Sequence, residues 1–220
     1  MNGEGPGLSG AVTVTDESSQ LAAMRLAEEH SPCVLSFASA RNVGGGFIKG
    51  AKAQEEDIHR CCGIYRCLEP IVEYYRTNRN QDSMLYTDHI IYSPSVPWFR
   101  VDGKTLLDKS FEASIITAPA PNAGEHLRRN PDDYPSIHKV IRRRSGYILA
   151  IAAANRETHL VLGAWGCGVF QNDPEGVAES FHSWLYEYNL KRYFEHVRFA
   201  VLDKTEGQPV LSAFRDTYAP

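Results

Sequence analysis

Short apolar runs alternate along this chain with segments whose apolar residues recur at helical spacing. Strand-like runs include Ala11–Thr15, 33–39 and "HLVLGAW", and the longest helical pattern covers 136–155. This alternation predicts an α/β domain in which helices cover a mixed β-sheet. In such domains ligands bind at the carboxyl ends of the strands, near the point where the strand order reverses.

Two further strands are predicted in "DHIIYSPSVPWFR" and "FEASIITAPAP". Both contain prolines, which lack the backbone N–H that a β-ladder requires. We therefore expect each of these strands to end at its prolines.

The length of 220 residues predicts one domain, over 11–220. The first ten residues, "MNGEGPGLSG", are rich in glycine and have no apolar centre, which predicts a flexible tail over 1–10 and not a signal peptide. No apolar run approaches the roughly 18 residues that a membrane span needs. We expect an intracellular monomer, cytoplasmic if the source is bacterial and cytoplasmic or nuclear if it is fungal.

Charge and cysteine spacing argue against two classes of site. A net charge of -4 and a pI near 6.1 do not fit a direct nucleic-acid-binding surface, which is basic. The five cysteines form no CxxC pair and the eight histidines no HxxxH pattern, so no metal site is predicted.

A triple glycine, Gly44–Gly46, follows the strand predicted over 33–39. Each glycine costs roughly 1 kcal/mol against alanine in regular structure, so its retention indicates unusual dihedral angles or close approach to a ligand. A flexible surface loop is the alternative. Glu55 and Glu56 begin the next helix, either as a solvated helix start or as an acid–base pair. On a helix they point about 100° apart, so their roles would differ.

A second glycine-rich loop follows the strand "HLVLGAW" and precedes a helix that begins at Pro174. Successive backbone N–H groups in such a loop can bind a phosphate, and the following helix adds a positive dipole end. Tight packing alone would also explain its glycines. Phe170 is then either a core anchor or an aromatic that stacks on a sugar or base. A third loop, 117–124, leaves another predicted strand.

The segment "GGGFIKGAKAQEE" resembles the GGG…QEE signature of poly(ADP-ribose) glycohydrolases, with seven residues between Gly46 and Gln54. "VLSFASARNVGGG", "HIIYSPSVPWFR", "ITAPAPNAG" and "LVLGAWGCGVFQNDP" together resemble the microbial type of that family, over residues 12–203. The resemblance implies a macrodomain-like three-layer α/β/α sandwich with a central mixed β-sheet that binds ADP-ribose. Microbial members carry a further helical segment before the first strand, so we expect a short or truncated member.

The resemblance also implies roles for individual residues. Glu56 is similar to the catalytic acid–base of the family, and Glu55 to the residue that holds the ribose hydroxyls. The implied ADP-ribose contacts are Asn42, Gly44, Gly45, Gly46, Gln54, Gly166, Cys167, Gly168, Val169 and Phe170. No ligand role is assigned to Asn122, and neither a metal nor a cofactor is implied.

The implied activity is hydrolysis of the ribose–ribose O-glycosidic bonds of poly(ADP-ribose) from chain ends, which releases ADP-ribose and reverses ADP-ribosylation. Two alternatives keep the same site: removal of a single ADP-ribose from a protein side chain such as arginine, and non-catalytic binding of ADP-ribose. A metal-dependent hydrolase would need clustered aspartates, which the sequence lacks. The expected partners are the polymer or an ADP-ribosylated protein.

Three consecutive arginines, Arg142–Arg144, interrupt the apolar pattern of the longest helix. A solvated face is the expected interpretation. A basic patch that faces a polyanionic substrate is the alternative.

Overall fold

The computed structural model describes residues 10–219, so the tail predicted over 1–10 lies outside the described residues except for Gly10. Six strands form one sheet in the order β1-β6-β5-β2-β4-β3. Strand β3 is antiparallel to β4, and the other neighbours are parallel. The mixed sheet is therefore confirmed. The strands are β1 Ala11–Thr15, β2 Pro32–Phe37, β3 Ile91–Trp98, β4 Phe111–Ala118, β5 His159–Leu162 and β6 His196–Ala200.

Helices connect these strands and cover both faces of the sheet. The α-helices of the described chain are α1 Ser19–Leu26, α2 Gln54–Cys61, α3 Ile64–Leu68, α4 Val72–Arg79, α5 Ala123–Arg129, α6 Tyr134–Ala154, α7 Pro174–His182 and α8 Pro209–Thr217. A π-helical turn, Ser183–Glu187, continues α7. Between residues 10 and 219, no helix is long and apolar enough to cross a membrane.

Alternate residues of the central strands pack into two separate cores. Cys33 and Leu35 of β2 pack with residues of α6, α7 and α8, whereas Val34 between them packs with residues of α1, α2 and α3. Neighbouring side chains of a strand point to opposite faces, so a strand that is apolar throughout needs a helical layer on each side. The predicted α/β/α sandwich is confirmed.

One strand prediction was wrong. Strand β3 runs through Pro94 and Pro97 and ends at Trp98 instead of stopping at its prolines. It is one of the two edge strands of the described sheet; its ladder partner is β4, with a register shift between Ser93 and Val96, and a single bridge joins Trp98 to Cys62. An edge strand tolerates proline because one side of its backbone needs no ladder partner.

The interpretation of Arg142–Arg144 as a solvated face is wrong for Arg144. This side chain is fully buried, and its guanidinium donates hydrogen bonds to Asp88 and to the carbonyl oxygens of Leu85, Tyr86 and Pro119. A buried charge is stable only when it is paired and hydrogen-bonded, and these four partners meet that need.

The carboxyl ends of β5, β2 and β4 are adjacent in the sheet. The three loops singled out in the sequence leave these strand ends, so the structure brings them together. Ala38 N donates to Ala118 O at 3.1 Å, which joins the first loop to the third. The switch in strand order therefore lies where the sequence predicted a ligand site.

Candidate active site

The carboxylates of Glu55 and Glu56 both face the backbone of Gly45. A Cβ atom placed on this glycine would lie 2.5 Å from Glu56 Oε1 and 2.6 Å from Glu55 Oε2. Both glutamates lie in the first turn of α2 and are buried. Although the two residues are about 100° apart around the helix, the glycine loop folds over the helix start, and one oxygen of each carboxylate lies against it.

The triple-glycine loop adopts a backbone that other residues rarely adopt. Gly44 has φ 66° and Gly45 φ 59°, both in the left-handed region. A Cβ atom on Gly44 would lie 2.7 Å from the imidazole ring of His59. The structure thus favours the fixed loop over the flexible one.

Glu56 is held by two backbone N–H groups, one at the end of the triple glycine and one just before α2. Its Oε1 accepts a hydrogen bond from Gly46 N at 2.8 Å, and its Oε2 accepts one from Ala53 N at 2.9 Å. The second bond is the return half of a capping box, which satisfies a free N–H at the start of α2. The carboxylate is therefore oriented by backbone groups on both sides.

Glu55 is the more deeply buried of the two glutamates. Its Oε2 accepts a hydrogen bond from Ser39 N at 2.8 Å, while its Oε1 has no protein partner. Burial raises the pKa of Glu55 to about 8; the Ser39 N–H opposes this shift, and the negative charge of Glu56 adds to it. This pKa favours the protonated form of Glu55 near neutral pH, and its buried Oε1 makes no hydrogen bond among the described residues.

His59 forms the floor beneath the glycine loop and was missed in the sequence. Its Nδ1 donates to Glu55 O at 2.8 Å, so its Nε2 carries no proton, and this buried atom has no protein partner. Burial lowers the pKa of His59, so the ring is neutral. The position four residues after Glu55 on the same helix face is a signal that could have indicated this contact.

Gln54 makes its side-chain hydrogen bonds within the protein. Its Oε1 accepts from Phe37 N, and its Nε2 donates to Leu35 O and Ser19 Oγ. Both amide hydrogens are thus used within the protein. Gln54 thus fixes the start of α2 to the carboxyl end of β2, and a contact with ADP-ribose stays a prediction.

Asn42 lies at the exposed tip of the first loop. Its backbone oxygen accepts a hydrogen bond from Gly45 N at 3.1 Å, which helps to hold the glycine turn. Its side chain is on the surface beside this turn, so a ribose contact remains a prediction.

The second glycine loop is tied to the third loop by Asn172. Its Nδ2 donates to Pro121 O at 2.8 Å and to Gly166 O at 3.0 Å. Gly166 has φ 78°, and a Cβ atom there would lie 2.5 Å from both Ala120 Cβ and Asn172 Nδ2. Packing therefore accounts for Gly166. Gly168 is different, because a Cβ atom there would meet nothing within 4 Å.

The other members of the second loop differ in exposure. Val169 is 82% exposed, and Phe170 is half-buried with its ring 6.2 Å from that of Tyr86. Burial raises the pKa of Cys167 to about 12, so this residue is a protonated thiol and not a nucleophile at neutral pH. The backbone oxygen of Phe170 accepts from Gly124 N, a further bond to the third loop.

Tyr86 connects the two glycine loops and was also missed in the sequence. Its ring lies between Phe170 and the guanidinium of Arg41, which is 5.7 Å from the ring centroid. The backbone of Tyr86 has φ 59°, and Arg144 Nη2 holds its carbonyl oxygen at 2.9 Å. The buried Arg144 thus fixes the backbone of Tyr86, whose ring lies beside Phe170 and Arg41.

Asn122, to which no ligand role was assigned, caps α5 by accepting a hydrogen bond from Glu125 N at 3.1 Å. Within residues 10–219, no group of three or more His, Cys, Asp or Glu side chains is arranged to hold a metal ion.

A family model described as "Microbial-type PARG, catalytic domain" matches residues 3–101, a range that includes both the triple glycine and the glutamate pair. PARG denotes poly(ADP-ribose) glycohydrolase. No curated protein matches the chain.

Several solved structures resemble this chain over nearly its whole length. A poly(ADP-ribose) glycohydrolase from Deinococcus radiodurans in complex with ADP-ribose is 49% identical, with a TM-score of 0.92 and a match that covers 96% of this chain and 85% of that one. The Thermomonospora curvata enzyme is 39% identical, with a TM-score of 0.92 and 99% and 80% coverage. The same enzyme bound to the inhibitor ADP-HPD matches with 39% identity, a TM-score of 0.87 and 96% and 80% coverage.

Proposed function

This chain belongs to the microbial-type poly(ADP-ribose) glycohydrolases, and we propose that its Glu55–Glu56 pair cleaves the ribose–ribose bonds of poly(ADP-ribose), at chain ends. The chain is an enzyme, a glycosidase that releases ADP-ribose from this polymer. The remaining questions concern which residues carry out each step and how the polymer is bound.

One observation gives the strongest support for assigning catalysis to Glu55 and Glu56. Gly45 lies against both carboxylates at distances that exclude any side chain, so the glycine turn and the two acids form one packed unit. A module that only binds ADP-ribose needs the glycine loops but not two buried glutamates at this position, since burying carboxyl groups is costly.

Glu56 must be protonated before the first step, with a proton taken up from solvent, and in that step it transfers this proton to the oxygen that leaves C1″ of the distal ribose. The C1″–O bond breaks through an oxocarbenium-like state, and the leaving chain departs with a hydroxyl group. Two hydrogen bonds from backbone groups, Gly46 N and Ala53 N, hold the Glu56 carboxyl in a fixed direction during this transfer.

In the second step, Glu56 is a carboxylate and takes a proton from water as the water oxygen bonds to C1″. The product is ADP-ribose, and Glu56 returns to its protonated form, so the overall reaction consumes one water molecule. Glu55 would bind the ribose hydroxyls, and its neutral form would do so without adding negative charge beside Glu56.

The second glycine loop would bind the diphosphate. Gly168 is exposed, and no described atom lies within 4 Å of its Cβ position, so the backbone N–H groups of this loop can approach an anion closely. Cys167 and Val169 would contribute backbone contacts, and Phe170 would pack on the ligand beside Tyr86. All of these residues belong to one chain, so the proposed site is complete in a monomer.

Removal of a single ADP-ribose from a protein side chain is the second candidate, because the same two carboxyls could serve another leaving group. The test compares the release of ADP-ribose from purified polymer and from mono-ADP-ribosylated protein. We expect rapid release from polymer, with ADP-ribose and not oligomers as the early product. Activity on the mono-ADP-ribosylated protein alone would overturn the proposal, and early oligomers would overturn cleavage from chain ends.

A further inference from the structure

Five arginines lie on one surface beside the first glycine loop: Arg41 of that loop, Arg76 and Arg79 of α4, and Arg128 and Arg129 of α5. We call this surface the arginine rim. Arg76 and Arg79 are one helical turn apart and therefore project from the same face of α4.

Hydrogen bonds place the rim arginines around one short segment after α4. Arg79 Nη1 donates to Arg41 O at 2.6 Å, and Arg41 Nη2 donates to Gln81 O at 3.3 Å. Arg129 Nη1 donates to Asp82 O at 3.4 Å. These bonds place Arg41, Arg79 and Arg129 around residues 81–82, and Arg76 and Arg128 are exposed neighbours of Arg79 and Arg129 on the same two helices.

The rim has more positive than negative charge. Three carboxylates share this region, Glu73, Asp82 and Glu125. Glu125 pairs with both Arg128 and Arg129, whereas Arg41, Arg76 and Arg79 form no ion pair among the described residues. This excess is local, because the whole chain has a net charge of -4.

The rim is continuous with the glutamate pair. Ser39 N donates to Glu55 Oε2, and Ser39 Oγ accepts a hydrogen bond from Arg41 N at 3.2 Å. The first rim residue is therefore bonded to the residue that holds a site carboxyl. The rim therefore begins two residues after Ser39, on the loop that leads from β2 to the glutamate pair.

We propose that the arginine rim binds the part of poly(ADP-ribose) that remains attached on the leaving side of the scissile bond. This inference rests on the proposed function and extends it beyond the single ADP-ribose unit. Every further unit carries a diphosphate, and guanidinium groups bind phosphate through paired, charge-assisted hydrogen bonds. The rim would raise affinity for long polymer and leave the chemistry of a single unit unchanged.

The test removes two rim charges that do not touch the glycine loop, in the double variant R76Q/R128Q. Two substrates are compared: long poly(ADP-ribose), and ADP-ribose with a small neutral leaving group at C1″, which has no phosphate on the leaving side. We expect kcat/KM on the polymer to fall at least about fivefold with a weaker dependence on salt, and kcat/KM on the small substrate to change less than about twofold.

The matched control is K204Q/R215Q, which removes two positive charges on the opposite edge of the sheet, at and before α8. Equal loss in both double variants would mean that only net charge matters and would overturn the proposal, as would unchanged polymer kinetics in R76Q/R128Q. Failure of the wild-type protein to hydrolyse polymer would instead overturn the proposed function, so the two failures are distinguishable.

Discussion

The backbone of Gly45 lies against the carboxylate of Glu56 so closely that a Cβ atom on the glycine would be 2.5 Å from Oε1. Two motifs that the sequence separates by seven residues are therefore in direct contact. The glycine is needed at this position for its size and for its φ of 59°.

We expect Gly45→Ala to inactivate the enzyme. Alanine must displace both carboxyl groups, and a misplacement near 1 Å can cost roughly 100-fold in rate. Gly50→Ala is the matched control, because Gly50 also has a left-handed φ, of 80°, but nothing lies within 4 Å of its added Cβ. That variant should lose only about 1 kcal/mol of unfolding free energy and keep its activity. Equal activity losses in the two variants would contradict the contact argument.

Glu56→Gln should lower kcat by roughly 10²–10⁴-fold, the range for loss of a general acid–base, with ADP-ribose affinity kept. Glu55→Gln should lower kcat less. Burial raises the pKa of Glu55 to about 8, so a neutral glutamine resembles the form that this pKa favours near pH 7. The measurements are single-turnover rates on polymer and calorimetric titration with ADP-ribose. If Glu55→Gln loses as much rate as Glu56→Gln while binding is unchanged, the acid–base role moves to Glu55.

The stability of the ligand-free protein should fall between pH 4.5 and 8 because of Glu55. Its pKa is raised from 4.5 to about 8, so the folded state keeps a proton that the unfolded chain has lost. The stabilisation is fully present below pH 4.5 and is lost as pH rises through 8, with a slope of at most about 1.4 kcal/mol for each pH unit between these values. Urea unfolding at several pH values should show that the unfolding free energy of Glu55→Gln increases relative to that of the wild type as pH rises. A constant difference between the two proteins would refute this cause.

Gly168→Ala should weaken ADP-ribose binding by roughly tenfold without destabilising the fold, because its Cβ would meet only solvent or ligand. Gly166→Ala should instead lower the unfolding free energy by roughly 2 kcal/mol or more, since its Cβ would meet Ala120 and Asn172 at 2.5 Å. Thermal unfolding and calorimetric titration distinguish the two effects. Unchanged ADP-ribose affinity in Gly168→Ala would remove this glycine from the proposed diphosphate site.

Arg144→Met should destabilise the protein by roughly 3–5 kcal/mol, because it leaves the carbonyls of Leu85, Tyr86 and Pro119 without their donor. Arg143→Met is the matched control: Arg143 shares Asp88 with Arg144 but is partly exposed, and should cost less than about 1 kcal/mol. Urea unfolding measures both. Similar losses in the two variants would show that the bond to Asp88, and not the carbonyl bonds, carries the stability.

Much of the fold could be predicted from local patterns. The apolar run of β2 predicts a strand buried on both faces, and the helical spacing over 136–155 predicts α6 closely. The glycine and glutamate motifs were also visible, because dihedral freedom and carboxyl chemistry belong to the residue types themselves. The short helices α3, α4 and α5 were not predicted, whereas α2, which is as short as α4, was predicted from its acidic start; without such a local signal a short helix depends on tertiary packing.

The partners of buried polar groups could not be predicted in the same way. Arg144 is held by Leu85 and Tyr86, and Asn172 by Pro121, residues far away along the chain. Hydrophobic periodicity is a local property, so it can be read from one segment. A buried hydrogen bond joins two segments, and its partner is known only after both have been packed against the same sheet. For that reason the sequence revealed the acids and the glycines of this enzyme, and the packed structure was needed to reveal that they converge on Gly45.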